Sequence, residues 1–384
     1  MIYFLILILL IFFAFIYDFG NAKSGKKIAY YGILLVLICL SSFRYRVGGD
    51  TLMYMLKYQN MPNFNEFGNY EIGLSKLQPL WVLLVAIAKS ITPEFYMLQI
   101  LHAIIVNSLI FSFIKSNTKY VFTAILLYYI GYYGYFNFEI LRESIAIGIF
   151  LYSIKYLQNK KWFLYFTLSF VAFLFHFSAI ILFIFPFIIN LKFSFWRALL
   201  IFVLGILFSS YFSRFVDSVN LVGGLITSMK EYVEYVPTIW GIISILVLYL
   251  LYPTVIYKLS KSFLKINSNF YSFLSVYIII GAAATFFFIF FRFLNYLTPI
   301  IFIFLTEILH GFFRRKDIRS IRMAFVIIIF LIFSIIHMNR YFTDTSKYVA
   351  SSRWYSYWYP YYSIFDKKKD ETRENLIRAQ NNLN

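Results

Sequence analysis

Arg44, Arg46, Gly48, Gly49 and Asp50 fall together in the stretch FRYRVGGDTLMY at Phe43–Tyr54, directly after a long apolar run. Two arginines at such a place can snorkel to a membrane interface or bind an anion. Adjacent glycines allow positive φ and a close approach of backbone to ligand. Asp50 then becomes a base, a metal ligand or an arginine's partner. A second polar cluster, Glu139, Arg142 and Glu143, opens an apolar segment at Phe136–Ser144. Glu139 and Arg142 share a helical face and can pair locally. Carboxylates at a helix start also feel its positive end. Arg142 is the residue expected to hold a phosphate, because its planar fork grips two oxygens at once. His176 lies among phenylalanines in FLFHFSAI, either as a hydrogen-bonded structural imidazole or as part of a site. Arg292 is followed one helical turn on by Asn295 and Tyr296. It reads as an interfacial anchor or as a further cation for the same anion.

Other chemistries lack their residues. No HExxH, P-loop, dinucleotide fingerprint or GxSxG element is present, so nucleotide-driven chemistry and a bound cofactor are not expected. His102, His310 and His337 are scattered and form no metal-ligand pattern, and no metal site is assigned. Cys39 is the single cysteine, which excludes an internal disulfide.

The elements that must position these residues are helices in a bilayer. The 384 residues are 61% hydrophobic and 14% charged, with a mean hydropathy of +0.74. Soluble domains are about 25% charged. Apolar runs of roughly 17–25 residues recur, each long enough to cross the hydrocarbon core. They are continuous, not alternating, so they read as helices and not as barrel strands. An all-α polytopic protein of about 10–13 spans, some short or re-entrant, is expected. The net charge of +18 reflects lysines and arginines gathered in cytoplasmic turns, and with no basic soluble domain nucleic acid is not a partner.

In chain order, spans are expected at Ile2–Tyr17 and Ile28–Phe43, the second delivering Arg44–Asp50 to the outer side. A long outer loop with Glu66 and Glu71 follows. Gln78–Ile114 is broken at Thr92-Pro93, and Lys115 and Lys119 suit the cytoplasm only if one half is short or re-entrant. Tyr120–Phe138 runs outward and Ile145–Leu157 returns. Trp162–Asn190 is too long for one span and reads as two short helices meeting at His176. Ala198–Phe212 runs out to an outer loop with Gly223-Gly224, and Thr238–Tyr257 returns. Phe270–Phe291 leads to Arg292, and Leu294–His310 leads to the basic cluster Arg314–Arg322. Met323–His337 is the last span. Residues 1–342 are read as the membrane domain. Residues 343–384 form an aromatic then polar tail, placed outside because Trp354–Tyr362 resembles an interface belt.

On these residues the chain resembles the EpsG family of bacterial membrane proteins, which groups with Wzy-type polymerases of surface polysaccharide. The likeness rests on FRYRVGGD, on Arg142 and Ala146 opening a helix, and on Ala172, His176, Ser178 and Ala179 after a basic turn. A Pro-Tyr element at 359–363 adds to it. Glu143 departs from the pattern, where glutamine is usual, and is therefore set aside as a catalyst. The resemblance implies a bundle like that of GT-C glycosyltransferases and a substrate of oligosaccharide repeat units on undecaprenyl pyrophosphate. It further implies polymerisation at the outer face of the cytoplasmic membrane, beside a chain-length regulator and a flippase. Arg44 or Arg46, Arg142 and Arg292 would then hold the pyrophosphate, with Gly48, Gly49 and Tyr296 lining the substrate. Asp50 or Glu139 would be the base, and His176 would orient a phosphate or a carboxylate. Two alternatives share much of this pattern: a transferase adding one sugar from a lipid-phosphate donor, and a lipid-linked sugar flippase. The flippase expects charges along a central path and two related halves; here the charges gather towards one side.

Overall fold

The computed structural model describes residues 1–69, 78–188, 193–218, 239–263, 268–284, 290–314, 349 and 352–381. Glu71, Gly223-Gly224, most of the basic cluster after Arg314 and the span expected at Met323–His337 lie outside the described residues.

The first hairpin joins α1 (Ile2–Phe13), prolonged by a π-helical turn at Ala14–Phe19, to α2 (Lys26–Ser42). Ile6, Leu10 and Ala14, four residues apart, are buried on α1, while Phe4, Leu5, Ile8, Ile11, Phe12 and Phe15 are exposed. An exposed apolar surface of this extent is what lipid, not water, covers. The chain then forms α3 (Thr51–Asn60), α4 (Pro79–Ile91) and α5 (Tyr96–Asn117). α6 (Val121–Tyr128) continues through π-helical turns at Tyr129–Tyr133 and Tyr135–Glu139. α7 is Leu141–Gln158 and α8 is Trp162–Phe173. A 3₁₀ segment at Phe177–Phe183 leads into the short α9 (Phe185–Ile188). Then come α10 (Phe195–Ser218), α11 (Ile239–Ile245) with a π-helical turn at Leu246–Leu251, α12 (Tyr252–Phe263), α13 (Ser268–Ala283) and α14 (Phe290–Arg314). The tail carries α15 (Glu371–Asn381).

Four helical stretches are long and apolar enough to cross a bilayer: Ile2–Phe19, Tyr96–Asn117, Gly241–Lys261 and Phe290–Phe313. Shorter apolar helices surround them, and among the described residues there is no strand. The protein is an all-α polytopic membrane protein. Its two expected irregular segments take recognisable forms. α4 has 13 residues, about 20 Å at 1.5 Å per residue, which is short of the ~30 Å hydrocarbon core. Its first turn docks where α8 ends, with Leu80 N donating to the Leu174 carbonyl at 3.0 Å. The segment after Trp162 breaks at His176, and its return arm folds back on α8. Tyr165 there donates to the Leu182 carbonyl at 2.7 Å.

The charges sort by end. The lysine-bearing turns at Lys23–Lys27, Lys115–Lys119 and Lys160–Lys161 are all one helix length away from the ends that carry Arg44, Glu139, Arg142 and Arg292. At the lysine end, Asp18 accepts from Thr123 N at 2.7 Å and from Lys26, and Thr123 Oγ1 also meets His310 Nε2 at 2.9 Å. This polar knot fastens α1, α6 and α14 together. At the other end the tail docks on the loop after α2. Tyr45 N donates to the Tyr362 carbonyl, Ile364 N to that of Phe43 and Gly48 N to that of Tyr357, at 2.8–2.9 Å. The tail and that loop therefore occupy the same side of the membrane. Leu52 of α3 shares a small core with Tyr357, Leu376 and Ile377.

Candidate active site

The Gly48–Asp50 turn is built from three directions. Gly48 has φ +118°, and a Cβ there would lie 2.9 Å from the Phe138 carbonyl oxygen, so only glycine fits without strain. At Gly49 a Cβ would lie 2.9 Å from Glu139 Oε2. That close approach lets Glu139 accept from Gly49 N at 2.8 Å and from Asp50 N at 3.0 Å, while Trp358 Nε1 donates to it at 2.6 Å. Glu139 is thus the clamp that presents Asp50. Its own placement comes from the π-helical end of α6, where Asn137 donates to Tyr128 and to the Tyr133 carbonyl and accepts from Asn107, all at 2.8–2.9 Å.

Asp50 precedes α3 and, among the described residues, nothing hydrogen-bonds its carboxylate. It opens onto a cavity of about 210 Å³ with Met53, Tyr54, Lys57, Met61, Trp81 and Arg142. Residues 50, 53, 54, 57 and 61 fall on one side of α3 by helical spacing, and Trp81 of α4 closes the far wall, edge-on to Tyr54. Burial raises the Asp50 pKa above the ordinary aspartate value, and Arg292, Lys57 and Arg142 oppose that rise. Three cations therefore face the Asp50 carboxylate.

Arg142 stands in the first turn of α7 and donates to Gln78 Oε1 at 3.3 Å and to Tyr54. Arg292, in the first turn of α14, donates to Glu143 Oε2 at 2.9 Å, and Asn295 holds the other Glu143 oxygen at 3.1 Å. The Arg292 side chain remains 33% exposed while that of Glu143 is 1% exposed. His176 lies within electrostatic reach of both arginines. Its Nδ1 meets Ser178 Oγ at 2.7 Å, and Ser178 Oγ meets the Tyr296 hydroxyl at 2.9 Å.

Asp50, Arg142, His176 and Arg292 thus come together from four separate elements, and four other residues take different places. Arg44 is 1% exposed, donates to the Val47 and Ser41 carbonyls and lies over the Phe138 ring. Arg46 makes a two-pronged contact with Glu374 of α15. Neither arginine of the first loop lines the cavity: Arg44 points to backbone carbonyls and the Phe138 ring, and Arg46 to a tail carboxylate. Tyr296 is fully buried and reaches Ser178, not a ligand. Glu139 is occupied by three donors and is no free base. Lys57, Trp81, Tyr54 and Gln78 were missed in the sequence. Lys57 is seven residues on from Asp50, a signal visible once α3 is known to be helical. Glu143, set aside in the sequence, is the carboxylate that anchors Arg292.

A polytopic helical bundle with a carboxylate ringed by cations at one end of its helices is the class of molecule this geometry defines. The EpsG family model matches residues 27–363, and the chain belongs to the EpsG family, the family of Wzy-like polysaccharide polymerases. Its general role is that of a glycosyltransferase-like polymerase in polysaccharide biosynthesis. No curated protein and no solved structure matches the chain.

Proposed function

We propose that the protein joins oligosaccharide repeat units carried on undecaprenyl pyrophosphate into a surface polysaccharide, at the outer face of the bacterial cytoplasmic membrane. The observation that carries this reading is the grouping of Arg142, Arg292 and Lys57 around the unengaged carboxylate of Asp50. The acceptor sugar's hydroxyl oxygen attacks the anomeric carbon of the donor. Its proton passes to Asp50, whose raised pKa suits a base. The bond from the anomeric carbon to the pyrophosphate oxygen breaks, and the negative charge that builds there is met by Arg142 and Arg292. The energy comes from the lipid diphosphate, so no nucleotide or metal enters the scheme. An active site at the end opposite the lysine-rich turns fits an outward orientation, since those turns suit the cytoplasm.

The test is the glycan profile of a deletion strain carrying the wild-type gene or Arg142→Ala. Single capped repeat units in the deletion strain and in Arg142→Ala, with long chains restored by the wild type, are expected. Full-length polysaccharide from Arg142→Ala overturns the site. Truncated repeat units in place of single complete ones point to a transferase that adds one sugar.

A further inference from the structure

We infer that Ser178 and Tyr296 are positioning residues that lock His176 as an Nε2–H donor to an anionic oxygen of the substrate's diphosphate, and so exclude it as a base. Ser178 N donates to His176 Nδ1 at 3.2 Å, and an amide N–H has no other role than donor. Nδ1 therefore carries no proton. The same Nδ1 lies 2.7 Å from Ser178 Oγ. With Nδ1 an acceptor, that hydroxyl must donate to it, so Ser178 Oγ has its lone pairs left to receive. The Tyr296 hydroxyl, 2.9 Å away and fully buried, supplies the remaining hydrogen. The chain of donation runs one way, from Tyr296 to Ser178 to His176.

Two consequences follow for the ring. A neutral imidazole without a proton on Nδ1 carries it on Nε2, and among the described residues Nε2 has no hydrogen-bond partner. An imidazolium would put a second proton against the Ser178 amide and hydroxyl, and would add a like charge beside Arg142 and Arg292. The ring is therefore held neutral, with one N–H to give and its one lone pair already taken by Ser178. Beside two guanidiniums the group that accepts such an N–H is an anionic oxygen. The geometry of the fold explains why this lock needs the break after α8. His176 has extended φ and ψ of −153° and 132° and precedes the 3₁₀ segment, so its side chain folds over the first free amide of that segment. Tyr296 arrives from α14, one turn after Arg292, and couples the lock to the helix that carries the second cation.

The tautomer assignment stands on hydrogen bonds alone; the identity of the anion rests on the function proposed above. The test uses the full-length protein in detergent micelles with histidine labelled by heavy nitrogen, the His176 signals being those lost in His176→Gln. Nitrogen resonances of the Nε2–H tautomer in the free protein, and a displacement of the Nε2–H signal by inorganic pyrophosphate, are expected. An Nδ1–H tautomer, or an Nε2–H signal that pyrophosphate leaves in place, overturns the assignment. In Tyr296→Phe and Ser178→Ala the backbone amide keeps the Nε2–H tautomer, but the His176 Nδ1 resonance shifts and polymer formation drops about five- to tenfold, the order of one hydrogen bond. His176→Gln, whose amide can donate from the place of Nε2, retains more polymer than His176→Asn; equal loss in both counts against the donor role. Should Arg142→Ala leave polysaccharide intact while the tautomer and the pyrophosphate response hold, polymerisation at this site falls and the anion-donor assignment survives.

Discussion

The chain has two pairs of arginines at the same end of its helices, and their fates differ. Arg44 and Arg46 sit two residues apart after α2, and both are consumed by the framework. Arg44 is wrapped by the carbonyls of Ser41 and Val47, and Arg46 is clasped by Glu374 from the tail. Arg142 and Arg292 are far apart in sequence, open two different helices and converge on Asp50. Among the described residues, Arg142 donates to neutral oxygens, those of Gln78 and Tyr54. Arg292 shares one carboxylate with Asn295. A guanidinium has five N–H donors. What separates the two pairs is what those donors face: backbone carbonyls and a tail carboxylate for Arg44 and Arg46, the surroundings of Asp50 for Arg142 and Arg292.

The two arginine pairs differ most at Arg142. Replacing it with Ala is expected to cut polymer formation by roughly 10²–10³-fold, the scale of losing one donor to a developing anion. Arg142→Lys should also lose most polymer, because a point charge does not replace a fork, whereas Arg46→Lys should keep it; glycan profiles of the complemented strains compare them.

Asp50→Asn is the next largest. It is expected to abolish polymer while raising Tm at neutral pH. Burial raises the Asp50 pKa on folding, so the native state binds its proton more tightly than the unfolded chain. Stability is then lost as pH rises from the ordinary aspartate range through the raised folded value. Asparagine is neutral throughout and escapes that loss, so its Tm advantage should shrink as pH falls below the ordinary range. The acid limb of wild-type activity should lie above that of an ordinary aspartate. Thermal unfolding against pH in detergent checks both, and an unchanged Tm would remove the buried-carboxylate argument.

On the framework side, Gly48→Ala is expected to cost about 1–3 kcal/mol, since it forces a side chain into a positive-φ position beside the Phe138 carbonyl. Arg46→Ala has the smallest effect on polymer; removing one side of a two-pronged, mostly buried ion pair costs about 1–3 kcal/mol of stability. It should lower Tm and protein yield while polymer per molecule stays near wild type. A catalytic loss in Arg46→Ala without a change in yield would erase the distinction between the two arginine pairs.

Much of this molecule is legible in its residues. Hydrophobic runs gave away the helices, the excess length of Trp162–Asn190 exposed the break at His176, and the short apolar segment after Gln78 is α4. Asp50, Arg142, His176 and Arg292 stood out because ionisable groups in apolar sequence are costly and rarely idle. Less visible was the tail. Its aromatic belt suggested the right side of the membrane relative to the first loop, yet nothing in the composition of residues 349–381 announces that Trp358 holds Glu139 or that Glu374 takes Arg46. Those contacts join positions more than two hundred residues apart, and no local period encodes such a distance.

By itself the sequence determined the class of protein: helices in lipid, polar groups at their ends, and a small set of residues able to handle an anion. These are properties of composition and periodicity, which act over one or two helical turns. Only the tertiary structure decided which arginines group around Asp50, that Glu139 is a clamp and Asp50 the open carboxylate, and that Tyr296 reaches His176 through Ser178. Each of those outcomes depends on which partner reaches a donor or acceptor first. That is settled by the packing of distant helices around the Gly48–Asp50 turn.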